Sequence, residues 1–394
     1  MLNISIRCRV LVKFRAQQTH GARSSDTLAA MLLSFVMPTR NRSRELAFTL
    51  EQLGMLDLES LGGESEVVIV DNGSESPIDL PERLSNSIAV IRVGLDENLG
   101  TGARNIGAQH AKGRWIIMLD DDSNLMPGEV GAYLSGLDSN VAAVGGEILL
   151  PTGRHEAGGL PEVIVGCGCA IRRDVFLEVG GYDTGFGYYA EEYDLCAKLI
   201  ADGYRIGQTR AIGFEHRKCA AGRNMDEILY RLVRNNGWVI QRYAPAASLT
   251  ASIDEMLMRY ERIAINESAV DGYRRGVREL ESTICDQMRS PLDGAQWDRF
   301  IGLDAMERCL GAELANCKPS AVVIVGGSHG KGLGLIRGLI ESQGIEILDS
   351  EAQADALSVI GTLSPGPMLD GQIEFPDALS PWLIEEMAQI GSQS

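Results

Sequence analysis

The chain has no run of about 18 apolar residues, so no segment reads as a membrane-spanning helix, and contact with a membrane would have to be peripheral. It also lacks a basic surplus. With 36 Lys and Arg against 54 Asp and Glu, the formal charge is -18, which argues against a nucleic-acid partner because phosphate binding needs a clustered basic surface. The eight cysteines show no paired CxxC spacing, only the lone Cys167-x-Cys169. Neither a zinc site nor a disulfide framework follows from that spacing; reduced thiols in a cytoplasmic setting fit best, with the inner face of the membrane left open. No internal repeat is evident.

What is present is an ordinary globular composition, 45% hydrophobic and 23% charged over 394 residues, long enough for two domains. Residues 1–30 stand apart, with Arg7, Arg9, Lys13, Arg15 and Arg23 against the single acid Asp26. Their apolar stretches are broken by charge, so they read as a disordered basic extension rather than a signal peptide, and Met31 is a candidate natural start.

From Leu32 to about Thr209, apolar strand-like runs alternate with helical stretches, the habit of a parallel, doubly wound sheet. Strands are expected at Leu32 to Met37, Val67 to Val70, Ile88 to Val93, the run beginning at Trp115, Val141 to Leu149 and Val163 to Ile171. Helices are expected after Pro38-Thr39-Arg40-Asn41, from Asn98 to Asn105 onward, near Gly128 to Leu137 and at Glu191 to Leu199. Residues 225 to about 315 read as helical. From Lys318 a strand, a glycine-rich turn, a helix and a second strand ending at Asp349 begin a small α/β domain. The expected organisation is an extension at 1–30, a main domain at 31–245, a helical linker at 246–317 and a Rossmann-like domain at 318–394. The helical stretch offers a surface for a homodimer.

The run Trp115-Ile116-Ile117-Met118-Leu119-Asp120-Asp121-Asp122 is the most informative segment. A buried strand ends there in three carboxylates, and burying them unpaired would cost several kcal/mol each, roughly, so they belong at the sheet's exposed carboxyl end. In an open α/β sheet ligands bind at that edge. Packed carboxylates suit a hard cation such as Mg²⁺ or Mn²⁺, although an acidic turn capping a helix would look alike. Thr39 and Asn41, Asp71, Asn98 to Asn105 and the acids from Glu191 to Asp194 also fall at strand ends or helix starts. In a doubly wound sheet these would line one crevice.

The ordered set Pro38-Thr39-Arg40-Asn41-Arg42, Val70-Asp71-Asn72-Gly73-Ser74, Asn98-x-Gly100 with Ala103-Arg104-Asn105-x-Gly107, Asp120 to Asp122, Gly180-Gly181-Tyr182-Asp183, Glu191-Glu192-Tyr193-Asp194-Leu195 and His216 closely resembles the family 2 glycosyltransferases. The likeness spans residues 32 to 245. It implies the GT-A fold, with a mostly parallel central sheet, and an inverting enzyme that transfers a sugar from a UDP, GDP or dTDP sugar to a hydroxyl acceptor. The acceptor would be a glycan, a lipid-linked saccharide or a small molecule, and the cofactor Mg²⁺ or Mn²⁺.

Carried over by position, the resemblance places Pro38, Thr39, Asn41 and Asp71 at the base and ribose, and Asn98, Gly100 and Arg104 near the ribose and diphosphate. Asp120 matches a nucleotide-facing position and Asp122 a metal ligand; Asp121, within the same nucleotide-binding run, is expected to turn away. Glu192 matches the catalytic base, with Glu191 and Asp194 as rivals that could bind the acceptor or cap the helix instead. The chain has Glu at position 191–192 where Glu-Asp is more usual. His216 matches a second metal ligand, and Arg231, Arg234 and Asn235 match an arginine-bearing helix of several relatives, where they would either contact diphosphate or be solvated at the surface.

Two other readings are weighed. A nucleotidyltransferase-like enzyme would carry a glycine-rich basic signature after the first strand, where this chain has Pro38-Thr39-Arg40-Asn41; a non-catalytic binding module of the same fold would not need Asp120, Asp122 and Glu192 together. The turn at 326–332 fails both the Walker and the GxGxxG spacing, with Gly332 after Lys331 and Leu335 where a small residue is required.

Overall fold

The structure, a computed structural model, describes residues 31–218, 224–326, 330–349 and 356–384. The basic extension at 1–30 and part of the glycine-rich turn, residues 327–329, lie outside the described residues.

Strand β1 (Leu33–Thr39) leads through helix α1 (Ser43–Gly54) to β2 (Ser65–Asn72) and β3 (Ala89–Leu95), and α2 (Gly102–His110) returns the chain to β4 (Trp115–Met118). There follow β5 (Ser123–Leu125), α3 (Val130–Ser135), β6 (Val141–Leu149), β7 (Cys169–Arg172), α4 (Arg173–Glu178), α5 (Glu191–Ala201) and β8 (Arg205–His216). These strands form one eight-stranded sheet in the order β3-β2-β1-β4-β7-β6-β8-β5.

The first half is the parallel sheet that the sequence suggests: β1 pairs with β2 and β4, and β2 with β3, all parallel. Helices cover both faces, so β2 and β4 are buried along their whole length and read as continuous apolar runs. In β1 the period of two divides the core: Leu33, Phe35 and Met37 pack with Leu46, Leu50 and Leu53 of α1, and Val36 packs on the other face with Ala103 and Ala108 of α2. Helix α2 lies so close that a Cβ added at Gly107 would sit 2.5 Å from Val36 Cγ1.

The second half departs from a doubly wound sheet. Strand β7 is antiparallel to both β4 and β6, and β5 is antiparallel to β8, leaving β6 and β8 as the remaining parallel pair. The expected strand from Val163 to Ile171 is shorter, Cys169–Arg172, because residues 163–168 leave the sheet as a loop. The helix expected near Gly128 to Leu137 is confined to Val130–Ser135. The short strand β5, directly after the three aspartates, has no counterpart in the sequence reading.

Helices α6 (Met225–Tyr243), α7 (Leu249–Asn266), α8 (Val270–Thr283), α9 (Gly294–Ile301), α10 (Leu303–Met306) and α11 (Ala312–Cys317) fill the expected helical stretch. The C-terminal module has β9 (Ala321–Val325), α12 (Leu333–Ser342), β10 (Glu346–Leu348), β11 (Leu357–Ile360) and α13 (Pro365–Glu374), with a parallel sheet ordered β10-β9-β11. Its Val322, Ile336, Ile340 and Ile360 share one buried cluster with Met306, Leu310 and Leu314. Cys285 is disulfide-bonded, which corrects the expectation of wholly reduced thiols. Among the described residues no helix is long and apolar enough to cross a membrane.

Candidate active site

Strands β1, β2 and β4 run in register, Thr39 opposite Asp71 and Val36 opposite Met118, so their carboxyl ends open onto one edge. Two turns are laced together there. Asp71 accepts from the Ser74 N–H at 3.1 Å and from Arg92 Nη2 at 3.1 Å. The backbone N–H of Asn41, held at a φ of 56°, donates to Ser74 Oγ at 3.0 Å, and the Asn41 carbonyl oxygen of the side chain accepts from the Glu75 N–H at 2.8 Å. Pro38 is half-buried within β1.

Asn72, which sequence reasoning passed over as a turn residue, is buried and ties β2 to the start of α2. It accepts from the Leu99 N–H at 2.8 Å and donates to the Gly100 carbonyl at 3.1 Å. Asn98 accepts from the Gly100 N–H at 2.9 Å and from the Tyr188 hydroxyl at 3.2 Å. Gly100 has a φ of 57°, and a Cβ there would meet the Gly187 carbonyl oxygen at 2.6 Å, so only glycine suits the position.

The three aspartates separate sharply. Asp121 turns inward, accepting from Thr39 Oγ1 at 2.9 Å and pairing with Arg42 at 2.8 Å. Burial pushes its carboxyl up to about 7, against the opposing pull of Arg42 and Thr39. Thr39 is thereby spent on Asp121. Asp122 is also enclosed, its side chain 6% exposed and paired with Arg42 Nη2 at 2.5 Å. Asp120 is the open one, at 37%, and its carboxylate meets the guanidinium of Arg104.

Arg104 is buried and donates through Nη1 to the Gly166 carbonyl at 2.7 Å. Burial works against its charge, yet Asp120 and neighbouring groups raise its pKa above the usual value, so it stays a cation. The Gly166 N–H in turn donates to Glu192 Oε1 at 3.2 Å. One peptide of the 163–168 loop is thus gripped from both sides, with Asp120 beyond Arg104 and the carboxylate of Glu192 opposite.

Glu192 is half-buried at the start of α5, which follows Tyr189 and Ala190, both at positive φ. Burial raises its carboxyl above the ordinary glutamate range, with hydrogen bonds to backbone N–H groups and the charge of Arg104 opposing. Glu191 is buried more deeply, pushed up by burial and by Glu192, and its Oε2 finds no hydrogen-bond partner. Asp194 lies apart from the crevice. It is fully buried and accepts from Arg242 at 2.8 Å and the Tyr243 hydroxyl at 2.8 Å, tying α5 to α6.

The arginines and asparagine of α6 are turned to the same structural use. Asn235 donates to the carbonyls of Phe186, Tyr188 and Tyr189 at 3.2, 2.8 and 2.7 Å, and Arg234 reaches the Phe186 carbonyl at 3.1 Å. Arg231 pairs with Glu227 at 2.9 Å. The C-terminal module also touches α5: Lys331, from the glycine-rich turn, places Nζ 4.4 Å from the ring centre of Tyr193, next to Glu192.

His216 is the last residue of β8. Its Nδ1 lies 2.8 Å from Glu156 Oε2 and 3.5 Å from Cys167 Sγ, and its Nε2 lies 3.4 Å from Asp122 Oδ1. Burial alone would lower its pKa, but these partners carry it up to about 12. Glu156, from the loop after β6, was not foreseen; in spite of burial, His216 and Lys218 hold its carboxyl below the ordinary range. Ligand atoms of Asp120, Cys167 and His216 all lie within 4.8 Å of one another. Of the expected metal ligands, His216 sits in this converging donor set, and Asp122, which also pairs with Arg42, lies 3.4 Å from its Nε2. Such a set of carboxylate, thiol and imidazole fits a divalent cation.

Residues 34–156 match the model of glycosyl transferase family 2. A Haemophilus influenzae protein described as an uncharacterized glycosyltransferase is 26% identical over 198 residues, covering 43% of this chain and 63% of its own length. The glucosyl-dolichyl phosphate glucuronosyltransferase of Haloferax volcanii is 26% identical over 235 residues, 51% of this chain and 74% of that protein. Among solved structures, S. aureus TarS 1-349 superposes with a TM-score of 0.46 at 16% identity, covering 64% of this chain and 83% of TarS 1-349. Residues 34–156 are thus similar to glycosyl transferase family 2.

Proposed function

We propose that the crevice transfers a sugar from a UDP, GDP or dTDP sugar to a hydroxyl acceptor with inversion at the anomeric carbon. The observation that carries the reading is the convergence of Glu192 and the Arg104–Asp120 pair on the Gly166 peptide. That convergence on one peptide supports reading Glu192 as the base and the Arg104–Asp120 pair as the phosphate side.

In this reading Asp71, Asn41 and Asn98 line the nucleoside end, and Arg104 faces the diphosphate from behind Asp120. Asp120 and His216 would hold a divalent cation, whose chemistry is to neutralise the charge of the departing diphosphate. Glu192 accepts the acceptor's hydroxyl proton as that oxygen bonds to the anomeric carbon and the bond to the diphosphate oxygen breaks. One base on the face opposite the leaving group gives inversion. The carboxylate is raised toward neutrality, which makes it a better proton acceptor than an ordinary glutamate. The acceptor class includes lipid-linked saccharides, and the name of the Haloferax relative supports that part of the reading.

Thermal unfolding with UDP, GDP and dTDP sugars, with and without divalent cation, tests the donor: a true donor at 100 times its Kd stabilises by about 2.7 kcal/mol. NMR of the product's anomeric proton tests the stereochemistry. No shift with any donor, or a product that keeps the donor's configuration, contradicts the proposal.

A further inference from the structure

We infer that Cys167 is a thiolate ligand of the cation in this site, so that the site takes a borderline cation of the zinc or cobalt type in preference to Mg²⁺. The assignment rests on the proposed reading of the crevice as a donor site and names its cation more closely.

Three elements deliver three donors to one point. Asp120 comes from the end of β4, Cys167 from the 163–168 loop and His216 from the end of β8, with their ligand atoms mutually within 4.8 Å. A sulfur and a nitrogen bound to one tetrahedral ion at about 2.3 and 2.0 Å stand about 3.5 Å apart. Cys167 Sγ and His216 Nδ1 are 3.5 Å apart.

The thiol is held there by the fold. Its neighbour Gly166 is bonded by Arg104 on one side and Glu192 on the other, and the Gly168 carbonyl accepts from the Gly146 N–H at 3.0 Å. Cys167 is buried and not disulfide-bonded. With Nδ1 facing Cys167, the other ring nitrogen, Nε2, lies 3.4 Å from Asp122 Oδ1, the kind of outer carboxylate contact that orients metal-binding histidines.

Charge and softness point the same way. An aspartate, a thiolate and a neutral imidazole carry two negative charges against a dication, and the thiol proton leaves to water as the metal–sulfur bond forms. Mg²⁺ prefers oxygen ligands and keeps its waters, whereas thiolate and imidazole suit zinc and cobalt.

The test is a Co²⁺ titration of the purified full-length protein in buffer free of thiol reductant, read by absorption. The expected result is a thiolate-to-cobalt charge-transfer band in the near ultraviolet, present in the wild type and in the remote control C317S and absent in C167S. Zn²⁺ affinity should fall by at least about tenfold in C167S, on the scale of losses seen when support of a metal site is removed, while Mg²⁺ binding stays unchanged. Wild-type protein that binds Co²⁺ without the band, a band that survives in C167S, or Mg²⁺ bound more tightly than Zn²⁺ overturns the assignment. The wild-type spectrum decides the matter even where C167S fails to fold. Donor binding is measured separately. Nucleotide-sugar binding without the band overturns only the thiolate, and the band without nucleotide-sugar binding supports it while contradicting the transferase reading.

Discussion

Arg104 donates to the carbonyl oxygen of Gly166 at 2.7 Å across 62 residues of chain. That bond joins the helix after β3 to the loop before β7, and it fixes the peptide whose N–H reaches Glu192. Replacing Arg104 with Lys keeps the charge but cannot serve Asp120 and Gly166 together, because one ammonium lacks the guanidinium's planar fork. The expected outcome for R104K is a fall in kcat/KM of about 100-fold, the size of effect that a misplacement of about 1 Å produces, with a loss of about 1–3 kcal/mol of stability from the buried partner left without its donor. Steady-state kinetics beside a melting curve checks it; unaltered kcat/KM contradicts the clamp.

The raised carboxyl of Glu192 has a kinetic signature. A general base works only when deprotonated, so activity is lost as pH falls through its pKa, and burial places that pKa above the ordinary glutamate value. The acid limb of the kcat/KM profile is therefore expected at higher pH than about 4.3, the value for an unperturbed glutamate. A limb at or below that value would remove Glu192 as the base.

Asp121 makes a stability prediction of opposite use. Its pKa rises from 3.8 to about 7 on folding, so the folded state holds the proton more tightly than the unfolded chain. The stability this contributes is fully present below 3.8 and is lost as pH rises through 7. Asn at 121 does not titrate. The stability of D121N relative to wild type should rise with pH across that window, by up to about 4 kcal/mol, as measured by urea unfolding at several pH values. A pH-independent difference contradicts the shift.

Much of this was legible in the amino-acid order and some was not. The apolar runs of β1, β2 and β4 gave the parallel half because strands buried on both faces leave no alternation to misread. The antiparallel half was hidden for a related reason: Val163 to Ile171 is apolar throughout, yet its glycines let 163–168 leave the sheet and carry the Gly166 peptide into the site. The strand-end acids were visible as a group, and the resemblance implied that Asp121 turns away, but the pairing of Asp122 was not visible. Arg42 decides it by taking Asp121 and Asp122, and which carboxylate a guanidinium three residues past a strand will reach is a matter of packing. Glu156 and Cys167 stand in unremarkable loop sequence and acquire meaning only beside His216.

Asn235 offers a test of how the entry to α5 is held. Its buried amide serves the carbonyls of Phe186, Tyr188 and Tyr189, and alanine would leave them without that donor. N235A is expected to lose about 1–3 kcal/mol of stability. Because the freed loop sets the position of Glu192, kcat should fall as well. Guanidinium unfolding with a rate assay checks both; a stable variant with normal kcat would show that the loop needs no such tie.

The central claim is that Glu192 removes the acceptor's proton in a site otherwise built to bind the donor. It is tested most directly by E192Q in a single-turnover transfer assay, with donor affinity measured by calorimetry on the same protein. Glutamine keeps the shape and can still accept from the Gly166 N–H but cannot take a proton, so donor Kd should stay within about threefold while the transfer rate falls by about 100- to 10,000-fold. Transfer at the wild-type rate with the donor bound normally would contradict the account.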